Sequence, residues 1–171
     1  MPDKPTVTNF REILLLLERG GVQFVVIGGV AATVHGASRL TRDIDVVYAR
    51  DRENIRKLAA AFASRGPYLR GAPPGLPFRF DEKTIALGLN FTLTTDLGDV
   101  DLLGEIAGGG RFEDLLPHSA LVSIYGVSCL CVDLPTLIRS KRAAGRPKDL
   151  EAIAELEALL AERERENARG D

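Results

Sequence analysis

The chain has 171 residues, with 22 lysines and arginines against 24 aspartates and glutamates and a formal net charge of −2. That length suits one domain, or one domain with a small helical appendage, and the near-neutral balance excludes a global basic field of the kind that gathers nucleic acid while leaving room for a local basic patch. No apolar run approaches the ~20 residues of a membrane span and MPDKPTVTNF has no signal-peptide core, so a cytoplasmic protein with no membrane partner is expected.

TNFREILLLLERGG places Phe10, Ile13, Leu14 and Leu17 at helical spacing, with Thr8 or Asn9 as cap and Gly20 or Gly21 as terminator. VQFVVI is a compact apolar run ending at Gly28-Gly29, and VAATVHG resumes with small residues of helical character, giving strand, glycine turn and short helix. DIDVVY predicts a second strand, after which Asp51 caps a helix through RENIRKLAAAFASRG with Ile55, Leu58, Ala59 and Phe62 on one face. GPYLRGAPPGLPFRF is rich in proline and glycine and reads as an irregular loop, with residues 66–79 a candidate lid.

LNFTLTTDLGDVDLL predicts a β-hairpin with an arm from Leu89 to Thr94, a turn near TDLG and a return arm from Val100 to Leu103. GEIAGGGRFEDLLPHS predicts a loop and a short helix, and ALVSIYGVSCLCVDL two short strands hinged at Gly126. Cys129 and Cys131 lie at i and i+2 without a second Cys/His pair nearby, so buried free thiols are expected rather than a disulfide or a zinc site. LPTLIRSKRAAG and LEAIAELEALLAERERE predict two helices joined by RPKD, the second projecting into solvent or fraying at its end. Together these elements predict an α/β (α+β) domain with a mixed sheet flanked by helices at 1–133, and a small C-terminal helical unit at 134–171 packed on it.

The stretch RLTRDIDVVY carries two carboxylates, Asp43 and Asp45, one residue apart in an otherwise apolar strand. Strand alternation points both the same way, where each loses water and repels the other, and a divalent cation between them removes that cost. The plainer alternative is that Asp43 caps the strand while Asp45 sits on an exposed edge; a D-x-D taken alone does not choose. Asp101 supplies a third strand carboxylate, with Asp99 on the same face and Asp96 in the turn as alternatives. His35 stands either near a reacting group or at the end of a helix as its cap, the second being favoured.

The order of these features resembles the nucleotidyltransferase superfamily, which includes DNA polymerase β. In GGVAATVHGASRLTRDIDVV the glycine pair opens a helix and D-x-D follows on a strand, while GDVDLLGEI supplies the third acid. The resemblance covers roughly residues 22–150 and looks closest to the bacterial AbiEii-type toxins, whose later Lys and Arg-x-x-Asp element map onto Lys141 and onto RPKD with Asp149. Aminoglycoside and lincosamide nucleotidyltransferases also resemble the region around the glycines and R-x-T-R-D-I-D. Many members have Ser after the first glycine, where this chain has Gly29.

The resemblance implies a nucleotidyltransferase fold and transfer of NMP from an NTP to an acceptor hydroxyl, with release of pyrophosphate. It implies two Mg²⁺ (or Mn²⁺) ions held by Asp43, Asp45 and Asp101. Nucleotide contacts fall to Gly28, Gly29, Arg39, Thr41, Lys141, Lys148 and Asp149, although Lys141 and Lys148 read equally as solvated charges and Asp149 as the N-cap of the last helix. A tRNA or protein acceptor, and a cognate antitoxin or other partner protein, follow from the toxin branch; a small molecule follows from the antibiotic enzymes. A tRNA acceptor predicts a basic face built from Arg39, Arg42, Arg139, Lys141, Arg142, Arg146 and Lys148. A non-catalytic binding protein of the same fold is the alternative of another class.

Overall fold

The computed structural model describes residue 5 and residues 7–170, so the outer limits 1 and 171 of the expected units, and half of the ten opening residues read for a leader, lie outside the described residues. Helix α1 (Phe10–Arg19) buries Ile13, Leu14 and Leu17, and its N-cap is Asn9, whose side chain accepts from the Glu12 N–H at 3.1 Å. Thr8 is used differently. Its hydroxyl donates to Arg42 O at 2.6 Å and accepts from the Asp99 N–H at 3.0 Å, tying two strand starts together.

Strand β1 (Phe24–Ile27) is buried along its whole length and runs straight into α2 (Gly28–Val34), so the glycine pair forms the first turn of the helix rather than a turn before it. Strand β2 (Asp43–Tyr48) and α3 (Arg52–Phe62), capped by Asp51, match the sequence pattern. Asn54 of α3 is buried with its amide fully used: Oδ1 accepts from Gln23 N–H at 2.7 Å, and Nδ2 donates to Gln23 O and Ala49 O at 3.0 and 2.7 Å. Such pairing is what makes a buried amide tolerable, and it fixes α3 against the ends of β1 and β2.

The stretch at 66–80 is less irregular than its composition suggests. A two-residue strand, β3 (Tyr68–Leu69), pairs antiparallel with β4 (Phe91–Thr95), and the short helix α4 (Glu82–Leu87), capped by Asp81, follows. Both elements are too brief to show a period. The hairpin is completed by β5 (Gly98–Leu103); its first arm begins at Phe91 rather than Leu89, because Leu89 O is occupied by the Tyr48 hydroxyl at 2.7 Å and the Gly104 N–H at 3.1 Å. Next come α5 (Phe112–Leu115) with a single 3-10 turn, β6 (Ser119–Ile124) and β7 (Val127–Val132), whose two-residue turn places Tyr125 and Gly126 at φ 50° and 80°. Cys129 and Cys131 are buried free thiols, and burial pushes their pKa values up to about 11 and about 12.

Helix α6 (Leu134–Ala144) ends at left-handed Gly145, and α7 (Pro147–Gly170) starts two residues later. The expected RPKD linker is therefore mostly the first turn of α7, with Pro147 at a position whose N–H has no intrahelical partner to lose. The end of α7 projects into solvent but stays helical, and Arg163 reaches back to donate to His35 Nδ1 at 3.0 Å and His35 O at 3.1 Å.

Among the described residues, seven strands form one mixed sheet in the order β3-β4-β5-β2-β1-β7-β6. Parallel pairs β2/β5 and β1/β7 flank the antiparallel pair β1/β2 at the centre. Ile44, Val46, Val100 and Leu102 are fully buried, so β2 and β5 are held in register by the core on one face. Among the described residues, no helix is long and apolar enough to cross a membrane.

Candidate active site

That register places acids side by side. Asp43 lies opposite Asp99 and Asp45 opposite Asp101, so four aspartates share the sheet face that Ile44, Val46, Val100 and Leu102 turn away from. Carboxylate oxygens of Asp43, Asp45 and Asp101 all lie within 4.8 Å of one another. Asp96 takes no part in this group and pairs with Arg65 at 3.6 Å. Burial first, then the charge of Asp43, then a hydrogen bond to Asp101 hold the Asp45 carboxyl well above the usual carboxylate range. Burial also raises Asp101, against the pull of its hydrogen bond from Asp45 and of Arg70.

The glycine pair is packed against these acids. Gly28 has φ +67°, and a Cβ there would stand 2.0 Å from Asp45 Oδ2; a Cβ on Gly29 would stand 2.7 Å from the Thr41 Cβ. Only glycine allows α2 to begin so close to β2. The Thr41 hydroxyl in turn faces Asp43, 3.0 Å from its backbone O and 3.1 Å from Oδ1, which fixes the first acid at the strand entry.

A cleft of about 510 Å³ opens on the group and is lined by Gly28, Gly29, Arg39, Thr41, Asp43, Asp45, Asp99, Lys141, Arg146, Lys148 and Asp149, among others. Every residue expected to contact nucleotide therefore borders one cleft. Their environments differ, however. Lys141 is mostly buried, its Nζ 3.9 Å from Asp149 Oδ1; burial lowers its pKa, while Asp149 and Asp45 favour its charge. Lys148 is exposed, and the exposed Arg39 pairs with Glu151 of α7 at 3.4 Å. Arg139 and Arg142, expected on a basic face, are engaged elsewhere, Arg139 Nε donating to Gly108 O at 3.1 Å and Arg142 pairing with Glu157.

Asp149 is not the N-cap of α7. It is the third residue of the helix and accepts from the backbone N–H of Arg146 at 3.2 Å and from its Nε at 2.7 Å. This is the reciprocal half of a capping box, in which the third residue satisfies the N–H of the cap position. Burial raises the Asp149 pKa, but the Arg146 hydrogen bond and charge, together with Lys141, bring it below the usual range. His35 ends α2 as its cap residue. Its Nε2 lies 2.7 Å from Val132 O and so carries the proton, leaving Nδ1 to accept from Arg163; burial lowers its pKa. The ring is committed to α7 and β7 and is not free to act as a base.

Sequence reasoning missed Arg70, which follows β3. Its Nη2 lies 2.8 Å from Asp101 Oδ1, its Nη1 3.4 Å from Asp43 Oδ2 and its Nε 3.5 Å from Asp99 Oδ2. The available signal was charge balance: β2 and β5 carry no basic residue of their own, so acids converging from them require a cation from another segment.

A donor set of three carboxylates fits a hard cation such as Mg²⁺, and the guanidinium drawn into the group shows how strongly the acids demand positive charge. No family model matches the sequence, and no curated protein matches it. Solved structures do. A lincomycin-bound lincosamide antibiotic adenylyltransferase, LnuA, is similar at 16% identity and a TM-score of 0.59, over 91% of this chain and 99% of that one. The antibiotic-resistance factor ANT(2″)-Ia is similar at 18% identity and a TM-score of 0.52, over 94% and 92%. A Thermotoga maritima protein provisionally named a nucleotidyltransferase matches at 17% identity and a TM-score of 0.50, over 85% and 88%. The chain carries the nucleotidyltransferase fold.

Proposed function

We propose that this protein is a metal-dependent nucleotidyltransferase, moving NMP from an NTP to an acceptor hydroxyl and releasing pyrophosphate. The observation that carries the reading is the convergence of Asp43, Asp45 and Asp101 from adjacent strands, at a cleft bordered by a glycine helix start and by Lys141. In this reading the three aspartates hold two divalent ions, which supply activation of the acceptor hydroxyl and charge stabilisation at the leaving pyrophosphate. Gly28 and Gly29 offer backbone N–H groups to phosphate. Lys141 and Lys148 meet the triphosphate as positive charges, Thr41 keeps Asp43 oriented, and Asp149 holds Arg146 and Lys141 at the cleft.

The acceptor we favour is a tRNA end or a protein hydroxyl, as in the AbiEii-type toxins, and a cognate partner protein goes with that reading. The basic rim supporting it is smaller than the sequence suggests: of the seven residues expected on it, Arg39, Arg42, Lys141, Arg146 and Lys148 line the cleft. A small-molecule acceptor has specific support of its own. A small-molecule modifier was expected to need a larger substrate-binding unit, yet this chain spans 99% of a lincosamide adenylyltransferase. The test is incubation with each α-³²P-labelled NTP and Mg²⁺, offering tRNA, total protein and an aminoglycoside and lincosamide panel in parallel. Label on one acceptor, lost in Asp43→Asn/Asp45→Asn, is the expected result; no label on any acceptor counts against transfer.

A further inference from the structure

Among the described residues, Arg70 touches the acids and has no part in the proposed chemistry. Its guanidinium touches Asp43, Asp99 and Asp101 and also donates from Nη2 to Leu93 O at 2.8 Å. These groups are sheltered: side-chain exposure is 22% for Arg70, 13% for Asp99 and 21% for Asp101. Asp43 and Asp45 border the open cleft, whereas Asp101 Oδ1 is covered by the arginine at 2.8 Å. An ion entering from the cleft meets Asp43 and Asp45 first, with Arg70 only in the looser 3.4 Å contact with Asp43. An ion that needs Asp101 meets an oxygen already engaged and a like charge within ~4 Å, where repulsion at a partly buried site is substantial.

We propose that Arg70 is a built-in cation that restricts the acid cluster to one tightly bound divalent ion, and that a second ion binds only when Arg70 withdraws from Asp101. The inference rests on the metal-site reading above and makes the chain's own loop a determinant of ion loading. The segment carrying Arg70 is suited to such a shift. Strand β3 pairs with β4 through only two residue pairs, Arg70 adds a backbone bond to Thr92 O at 3.0 Å, and Gly71 follows at φ +79°. Few bonds have to be exchanged, so loading of the second ion and repositioning of residues 66–79 become one event.

The test is a titration of the full chain with Mn²⁺ alone, free ion being read by electron paramagnetic resonance. Wild type takes one ion tightly; Arg70→Gln takes two, the second bound about tenfold or more tighter than in wild type. Arg70→Lys keeps a cation in place and behaves as wild type, which a merely structural role for the side chain does not require. Equal stoichiometry and affinity in wild type and Arg70→Gln overturn the proposal and leave the metal site standing. Absence of Mn²⁺ binding in both overturns the metal site and this proposal together. If Arg70→Gln does not fold, hydrogen exchange of wild type decides: saturating Mn²⁺ speeds exchange at the Arg70 and Ala72 amides, and unchanged exchange refutes the withdrawal.

Discussion

At Asp45 the cost of the site is concentrated in one side chain. Burial, the neighbouring charge of Asp43 and the hydrogen bond to Asp101 raise its pKa above the ordinary 3.8, so the folded chain holds this proton more tightly than the unfolded chain does. The stability this confers is fully present below the ordinary carboxylate range and is lost as pH rises through the raised value. With chelator present, wild type therefore loses melting temperature as pH rises above the ordinary carboxylate range, and Asp45→Asn, which carries no ionisable proton, loses less. Thermal melts from that range upward check it; parallel curves for the two proteins refute the assignment. Added Mg²⁺ narrows the gap by stabilising wild type at high pH, because an ion that binds only the folded state shifts its stability.

Among the elements, α6 and α7 are tied together at the cleft by one carboxylate. Asp149 is buried, satisfies the Arg146 N–H at the start of α7, and stands 3.9 Å from the mostly buried Lys141. Asp149→Ala removes the helix-start acceptor and leaves Lys141 without that partner, so a loss of about 3–5 kcal/mol is expected from urea unfolding, near that of a broken buried pair. A loss below about 0.5 kcal/mol, the range of ordinary surface substitutions, contradicts this role. The elements that sequence made legible are those long enough to show a period: α1, β2, α3, the hairpin arms and the two last helices. β3 has two residues and α4 six, so neither offers a repeat to read. The N-cap expected at Asp149 falls three residues earlier, at Arg146, because Pro147 starts the helix sooner than RPKD suggests and moves Asp149 to its third position.

For the molecule as a whole, sheet order makes the site. Asp43 and Asp45 could be paired from a local pattern, but their meeting with Asp101 depends on β5 lying parallel beside β2 in one particular register. The resemblance supplied that neighbour, and hydrophobic alternation alone would not have. Charge balance called for a cation, but not for Arg70 in particular, since its position is set by a minimal strand pair distant in sequence from the acids it touches. The proposed activity requires this arrangement to be a divalent-ion and nucleotide site. The most direct measurement is calorimetric titration with a non-hydrolysable α,β-methylene NTP, in Mg²⁺ and in EDTA, using wild type and Asp43→Asn/Asp45→Asn. Binding that requires Mg²⁺ and disappears in the variant is the predicted result; no binding by wild type, or equal binding in EDTA or by the variant, contradicts it.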